Sequence, residues 1–242
     1  MGKVHPTTKD TFYFGIRSNK SIKKLVEISF DYAKMNAQQQ KEYQDIMKNC
    51  VDDFRNREIQ DPVAAFGWKF GETLFTVPVL LDVLPSAKVI HLIRDGRDVM
   101  LSRIDARFEE KIHEPFNKLI IFGRHNPDSL LGAAFDEDLV AKHRNALEML
   151  HWSTCINYGI GCRRYTNQYL EIHYEQLCRH PIRILSKVFN FIDVPFKSSC
   201  QEWAKSNIRT DRLGKWKDLS KDEMAFALRY GEGSLRKMGY VR

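Results

Sequence analysis

Four short runs of apolar and aromatic residues interrupt the chain, and each has the composition of a β-strand. They cover residues 11–16, 64–69, 89–93 and 169–174. Runs of about four to eight residues that are rich in β-branched or aromatic side chains are typical of strands. The longer segments between them place apolar residues at helical spacing. These are residues 37–57, 73–84, 138–164 and 182–192, and further helices open at Ser21 and Ser220. Strands that alternate with helices predict an α/β fold with a parallel sheet.

The segment 37–57 shows how this spacing predicts a buried face. It is a mostly polar helix whose apolar side chains recur about every three or four residues, so they fall on one side of the helix. We expect that side to face the core. Its members are Tyr43, Ile46, Met47, Val51 and Phe54.

Residues 88–103 contain a predicted strand that runs directly into a charged turn, Arg94-Asp-Gly-Arg-Asp98, and then into a helix. Either Asp95 or Asp98 is suited to cap that helix, because a carboxylate accepts hydrogen bonds from the unpaired N–H groups of the first turn. Ser102 follows Arg94 by about two helical turns. In an open α/β sheet, ligands bind where strands end and helices begin. The turn is equally compatible with an ordinary connection whose charges are solvated.

Two other predicted strands also end in polar residues. The first leads into Gly15-Ile-Arg-Ser-Asn-Lys-Ser21, which resembles a phosphate-binding Walker A loop but lacks its second glycine and is one residue short. The second ends near Lys69 and Glu72. Because right-handed crossovers return every strand in the same direction, we expect this second junction to share the sheet edge of Arg94.

Length favours a single domain. The 242 residues fit one α/β domain, and the irregular stretch 107–136 is long for a plain loop. We interpret this stretch as a substrate-loop insertion.

Charge and cysteine content narrow the class of protein. A net charge of +7 favours an anionic partner, but no run of five or six basic residues indicates a nucleic-acid tail. The five cysteines are an odd number without a Cys-x-x-Cys pair, which is typical of reduced thiols and predicts a cytoplasmic protein. No apolar run approaches the roughly 18 residues of a membrane span, so no membrane span is expected.

Taken in order, the motifs resemble the sulfotransferase superfamily that uses 3′-phosphoadenosine 5′-phosphosulfate. The segment Arg94–Ser102 is similar to the family element in which the first arginine and the serine eight residues later hold the 3′-phosphate. The segment 173–181 is similar to the family's Tyr-Glu-x-Leu strand end, which contributes Tyr174. Gly214-Lys-Trp-Lys217 is similar to the glycine-tryptophan segment that closes over the nucleotide, and Arg209 lies five residues before that glycine. The resemblance implies a P-loop type of nucleotide-binding fold, with a parallel central sheet flanked by helices.

The first loop departs from the family pattern, which is Pro-(Arg or Lys)-Ser-Gly-Thr-(Thr or Ser). Here Asn19 stands in place of the glycine, Lys20 in place of a threonine, and the proline is missing. Asparagine tolerates the left-handed backbone better than other non-glycine residues, so a cradling turn is retained in principle. The resemblance implies that the loop holds the 5′-phosphosulfate with Arg17, Ser18, Asn19, Lys20 and Ser21.

The segment 68–73 is similar to the Lys-Glu-Pro-Arg region of a mainly bacterial and Golgi-type branch. The position of the catalytic histidine in the cytosolic branch is occupied by Gly71. The resemblance therefore implies that Lys69 stabilises charge on the bridging oxygen and that Glu72 is the general base, with His113 or His125 as the alternative.

The implied reaction is in-line transfer of a sulfuryl group to a hydroxyl or amine, which leaves 3′,5′-bisphosphoadenosine. The resemblance implies that Arg94 and Ser102 bind the 3′-phosphate and that Arg209, with Arg212 or Lys215, closes the other side. It also implies that Tyr174 and Gly214 contact the nucleotide. No metal is expected, because no acidic cluster lies beside the loop. The acceptor would be a small molecule or a glycan, and the sequence leaves the acceptor and the oligomeric state open.

Two other functions remain open. One is an ATP-dependent kinase of the P-loop fold, which the residues Asn19-Lys-Ser21 suggest. The other is a non-catalytic relative that binds a nucleotide or an anionic polymer, which the altered loop suggests.

Overall fold

The computed structural model describes residues 12–15, 32–58, 65–69, 71, 73–105 and 144–241. Contacts divide the chain into two compact units, Met1–Ala87 and Lys88–Arg242. Three sequence predictions lie outside the described residues: the loop 17–21 with the helix that follows it, Glu72, and the insertion 107–136. Each unit is built around its own pair of strands.

The first unit contains a parallel pair of strands, in which Phe12 lies opposite Ala65 and Gly15 opposite Trp68. Its elements are β1 (Phe12–Gly15), a 3-10 turn (Tyr32–Lys34), α1 (Ala37–Glu58), β2 (Ala65–Trp68) and α2 (Thr73–Val83).

Helix α1 buries most of its predicted apolar face. Met47, Val51 and Phe54 are buried, whereas Tyr43 is half-buried. The prediction for Ile46 was wrong, since its side chain is 37% exposed. It lies beside Met47 in sequence, about 100° further round the helix, and therefore at the margin of the buried stripe.

Helix α2 forms although Pro78 lies in its interior. Proline removes one backbone hydrogen bond there, and its ring crowds the preceding turn. Residues 74–81 are nonetheless all buried. Burial of this apolar segment therefore stabilises the helix more than local propensity does.

The second unit pairs β3 with β4 in parallel, with Val89 opposite Tyr169 and Ile93 opposite His173. Its elements are β3 (Val89–Ile93), α3 (Gly96–Asp105), α4 (Arg144–Cys162), β4 (Tyr169–His173), α5 (Tyr174–Arg179), α6 (Pro181–Phe191), α7 (Ser198–Asn207), a 3-10 turn (Lys215–Asp218) and α8 (Lys221–Lys237). Helices α3, α4 and α8 share an apolar core that includes Met100, Trp152 and Leu235.

The α/β prediction is confirmed, because both strand pairs are parallel and helices separate the strands along the chain. Helix α8 begins as predicted. Ser220 accepts a hydrogen bond from the Glu223 N–H, and the Glu223 carboxylate accepts one from the Ser220 N–H. Two details differ from prediction: Tyr174 begins α5 instead of ending β4, and α7 was not anticipated. Within the described residues, no helix is both long enough and apolar enough to cross a membrane.

Candidate functional site

The turn between β3 and α3 has a defined cap. The Arg97 N–H donates to Asp95 Oδ1 at 3.0 Å, and the Val99 N–H donates to the Asp95 carbonyl at 3.0 Å. Of the two carboxylates that the sequence offered, Asp95 is therefore the one that caps the helix. Gly96 is required here because a β-carbon would overlap the indole ring of Trp152. That indole donates its Nε1–H to the Arg94 carbonyl at 3.0 Å.

Arg97 is a buried, fully engaged cation. Its Nε and Nη2 donate to the two Asp95 carboxylate oxygens at 2.9 and 2.6 Å, which is a bidentate pair. Nη2 also donates to the Tyr240 carbonyl at 3.2 Å, and the guanidinium lies 3.5 Å from the centre of a Trp216 ring. Buried ions are stable only when paired in this way. Arg97 therefore stabilises the turn from within.

Asp98 connects the turn to a segment far along the chain. Its side chain is buried, and its Oδ2 and Oδ1 accept the backbone N–H groups of Gly214 at 2.8 Å and Trp216 at 3.1 Å. Gly214 has a φ of 73°, in the left-handed region where glycine avoids the strain of a side chain. The carboxylate thus holds the glycine-tryptophan segment against the first turn of α3.

Glu175 and Tyr240 support the turn from the other side. The Glu175 carboxylate accepts the Asp95 N–H at 2.8 Å and the Tyr240 hydroxyl at 2.9 Å. The same hydroxyl lies 3.0 Å from His173 Nδ1. Burial, and then the neighbouring Glu175 carboxylate, raise the pKa of Tyr240, so this residue remains a proton donor.

Arg94 differs from Arg97 because its side chain is only partly engaged. About 20% of it is exposed, and its Nη2 lies 3.6 Å from Asp98 Oδ2. Nη2 donates to the Arg212 carbonyl, and the guanidinium lies 5.1 Å from the ring centre of Tyr174. Its Nε–H is buried and has no acceptor among the described residues. An arginine that is fixed in place and retains an unmet donor fits an anionic ligand such as a phosphate.

The structure brings together several of the predicted nucleotide-binding residues. Arg94 contacts Tyr174 and Arg212, and it is linked to Gly214 through Asp98. Burial also raises the pKa of the Tyr174 hydroxyl.

Four other predicted site residues within the described part of the chain are exposed. Ser102, Arg209 and Lys215 are exposed, and their contact with a nucleotide stays a prediction. Lys69 is exposed after β2 in the first unit. Among the described residues, no group of three or more His, Cys, Asp or Glu side chains is arranged to hold a metal ion.

Sequence analysis assigned no site role to three residues of the network. Asp98 was only a candidate helix cap, and Tyr240 was given no role. For Glu175, its place in the segment 173–181 was the available signal. Their partners, which are 65 residues apart for Glu175 and Tyr240, become apparent only in the folded chain.

The chain is similar in sequence to known sulfotransferases. The sequence model of the sulfotransferase family matches residues 9–198, well over half of the chain. Carbohydrate sulfotransferase 3 of Mus musculus is 27% identical over 156 residues, which cover 63% of this chain and 30% of the relative. The match thus spans less than a third of that relative's length. The sulfotransferase domain from the curacin biosynthetic pathway is 13% identical with a TM-score of 0.45, over 89% of this chain and 78% of that one.

Proposed function

The chain belongs to the sulfotransferase family, and from this premise we propose that it moves a sulfuryl group from 3′-phosphoadenosine 5′-phosphosulfate to a hydroxyl or amine acceptor. A glycan is the acceptor that we favour among small molecules and glycans. The similarity to a protein named carbohydrate sulfotransferase supports this choice.

The proposal rests on the position of Arg94 and on its unmet hydrogen-bond donor. It lies at the junction of a parallel strand and a helix, is held by the Arg212 carbonyl and the Tyr174 ring, and keeps an unmet Nε–H donor. In the proposed complex Arg94 and Ser102 bind the 3′-phosphate. Arg209, Gly214 and Lys215 lie on the segment that approaches the same phosphate. A 3′-phosphate distinguishes this donor from ATP, so Arg94 would also set the choice of nucleotide.

The remaining roles follow from the family resemblance. Arg17, Ser18, Asn19, Lys20 and Ser21 would hold the 5′-phosphosulfate, with backbone N–H groups at a helix N-terminus favouring the anion. Lys69 would neutralise charge on the bridging oxygen, and Glu72 would remove the proton of the acceptor. When bound, the donor supplies the sulfuryl group for in-line transfer. We also propose a cytoplasmic location, on the basis of the cysteine usage.

A transfer assay tests the proposal directly. The protein is incubated with ³⁵S-labelled donor and a panel of neutral and acidic glycans, and labelled glycan is expected. In Glu72→Gln, turnover should be lost while affinity for 3′,5′-bisphosphoadenosine is unchanged. Retained turnover would place the base at another residue.

A thermal-shift comparison separates the alternative functions. Stabilisation by 3′,5′-bisphosphoadenosine, but not by ATP with Mg²⁺ or by heparin, is expected. Stabilisation by ATP with Mg²⁺ alone would favour a kinase. Stabilisation by heparin alone, with no labelled glycan, would favour a non-catalytic polyanion binder.

A further inference from the structure

The segment 209–217 is attached to α3 through its backbone. The Arg212 carbonyl accepts from Arg94, and the N–H groups of Gly214 and Trp216 donate to Asp98. These three hydrogen bonds join residues that lie more than 110 positions apart in the sequence. Arg94 and Asp98 thus hold this segment through its backbone.

A second contact fixes the same segment independently. The Trp216 ring lies on the guanidinium of Arg97, 3.5 Å from ring centre to Cζ. Arg97 is itself immobilised by Asp95 and by the Tyr240 carbonyl, so it offers a rigid surface for the indole. Because Arg97 and Asp98 are consecutive on α3, the helix engages both the side chain of Trp216 and its backbone.

The anchoring leaves the basic side chains of the segment exposed. Arg209, Arg212, Lys215 and Lys217 are all exposed to solvent, whereas the carboxylate that accepts from the Gly214 and Trp216 N–H groups is buried. A segment anchored through its peptide groups keeps its cationic side chains available for an anion.

We propose that Asp98 is a positioning residue, which holds the segment 209–217 against Arg94 so that both contact the 3′-phosphate of the nucleotide. This inference rests on the proposed function. Asp98 itself does not contact the nucleotide. It acts by orienting Arg94 and the peptide groups of Gly214 and Trp216.

A purely electrostatic role of Asp98 predicts the opposite change in affinity for the anion. If Asp98 were only a counter-charge to Arg94, its neutralisation would strengthen anion binding, because a negative charge 3.6 Å from Arg94 would be removed. If Asp98 positions the segment, neutralisation weakens anion binding. In Asp98→Asn, one carboxylate oxygen becomes an NH₂ group, which faces a backbone N–H that needs an acceptor.

The test compares Asp98→Asn with Asp218→Asn, which makes the same change of charge at an exposed position directly after the segment. Calorimetry measures the affinities for 3′,5′-bisphosphoadenosine and for AMP, which lacks the 3′-phosphate. We expect the ratio of the two affinities to fall about tenfold in Asp98→Asn and to stay unchanged in Asp218→Asn. A ratio that is unchanged or higher in Asp98→Asn overturns the proposal. General loosening of the fold would weaken both ligands and leave the ratio unchanged.

Hydrogen exchange in the unmodified protein tests the anchor without any ligand or variant. We expect the amides of Gly214 and Trp216 to exchange at least about tenfold more slowly than unprotected amides, because opening must precede exchange. Exchange at the unprotected rate overturns the proposal, even if Asp98→Asn fails to fold. A parent protein that binds no bisphosphate contradicts the proposed function and the nucleotide role of Asp98, whereas slow exchange in that case still establishes the anchor.

Discussion

Two junctions of this chain connect a parallel strand to the helix that follows it, and different interactions stabilise them. After β2, the Trp68 Nε1–H donates to Thr73 Oγ1 at 3.0 Å, and Lys69 points its charge into solvent. After β3, the turn buries Asp95, Arg97 and Asp98 and holds them in paired contacts. Among the residues that the structure describes, the first connection contains a neutral hydrogen bond and the second contains an ionic network.

This difference in chemistry indicates that the junction after β3 is held more rigidly than the junction after β2. A neutral hydrogen bond contributes about 1 kcal/mol, whereas breaking one member of a buried ion pair costs about 3–5 kcal/mol. A buried ionic network is stable only when every charge keeps its partner, so its side chains can adopt few other positions. Within the second unit, this keeps Arg94 in place while its Nε–H retains no acceptor among the described residues.

The largest expected effect comes from breaking the ionic network. Asp95→Ala leaves Arg97 buried without its bidentate partner and removes the cap of α3. We expect the free energy of unfolding to fall by about 3–5 kcal/mol, as measured by urea denaturation. Asp218→Ala, at an exposed position, should change it by less than about 0.5 kcal/mol. Equal effects of the two substitutions would show that the network does not stabilise the junction.

A somewhat smaller effect concerns pH. The four residues of β2 carry no titratable side chain, but β3 carries His91. Burial lowers the pKa of His91 from 6.5 to about 4; Arg163 and His173 act in the same direction, and Glu171 opposes them. In the unfolded chain, His91 is therefore protonated below pH 6.5, whereas in the folded chain it stays neutral until about pH 4. Stability should be unaffected above that window, fall as the pH drops through it, and then level off.

The loss attributable to His91 is up to about 3 kcal/mol, from the separation of the two pKa values. In His91→Gln, the free energy of unfolding should therefore decline less between pH 7 and pH 4 than in the parent. His180→Gln, at an exposed position, should follow the parent curve. If the three curves have the same slope in this range, His91 is not the group responsible.

The smallest expected effect lies at the first junction. Thr73→Val removes the acceptor of the Trp68 Nε1–H, and we expect a loss of about 1 kcal/mol in unfolding free energy. Thr73→Ser keeps the hydroxyl and serves as the matched control. A loss as large as that of Asp95→Ala would erase the contrast between the two junctions.

The elements of both junctions were predictable because their determinants are local. Val89–Ile93 is a β-branched run of strand length, and Asp95 directly precedes the helix that it caps. Pro78 did not prevent the prediction of α2, because the surrounding residues are apolar enough to be buried together. Ile46 was misplaced because helical spacing alone does not define where the buried stripe ends.

The site was less predictable because its geometry depends on distant partners. Two carboxylates near one helix start look alike in sequence. Asp98 accepts hydrogen bonds from the backbone of residues 214–216, whereas Asp95 does not. No local sequence pattern predicts that contact. Similarly, the sequence does not show that Arg97 is buried and paired with Asp95, whereas Arg94 retains an unmet donor.

The proposed function rests most directly on the claim that Arg94 binds the 3′-phosphate of the nucleotide. Calorimetric titration with 3′,5′-bisphosphoadenosine compares the parent with Arg94→Ala and with Arg179→Ala, which removes an exposed arginine from the same unit. A charge-assisted hydrogen bond is worth about 1.5–3 kcal/mol, so Arg94→Ala should bind roughly ten- to a hundredfold more weakly while Arg179→Ala binds like the parent. Equal affinity of Arg94→Ala and the parent would contradict the claim.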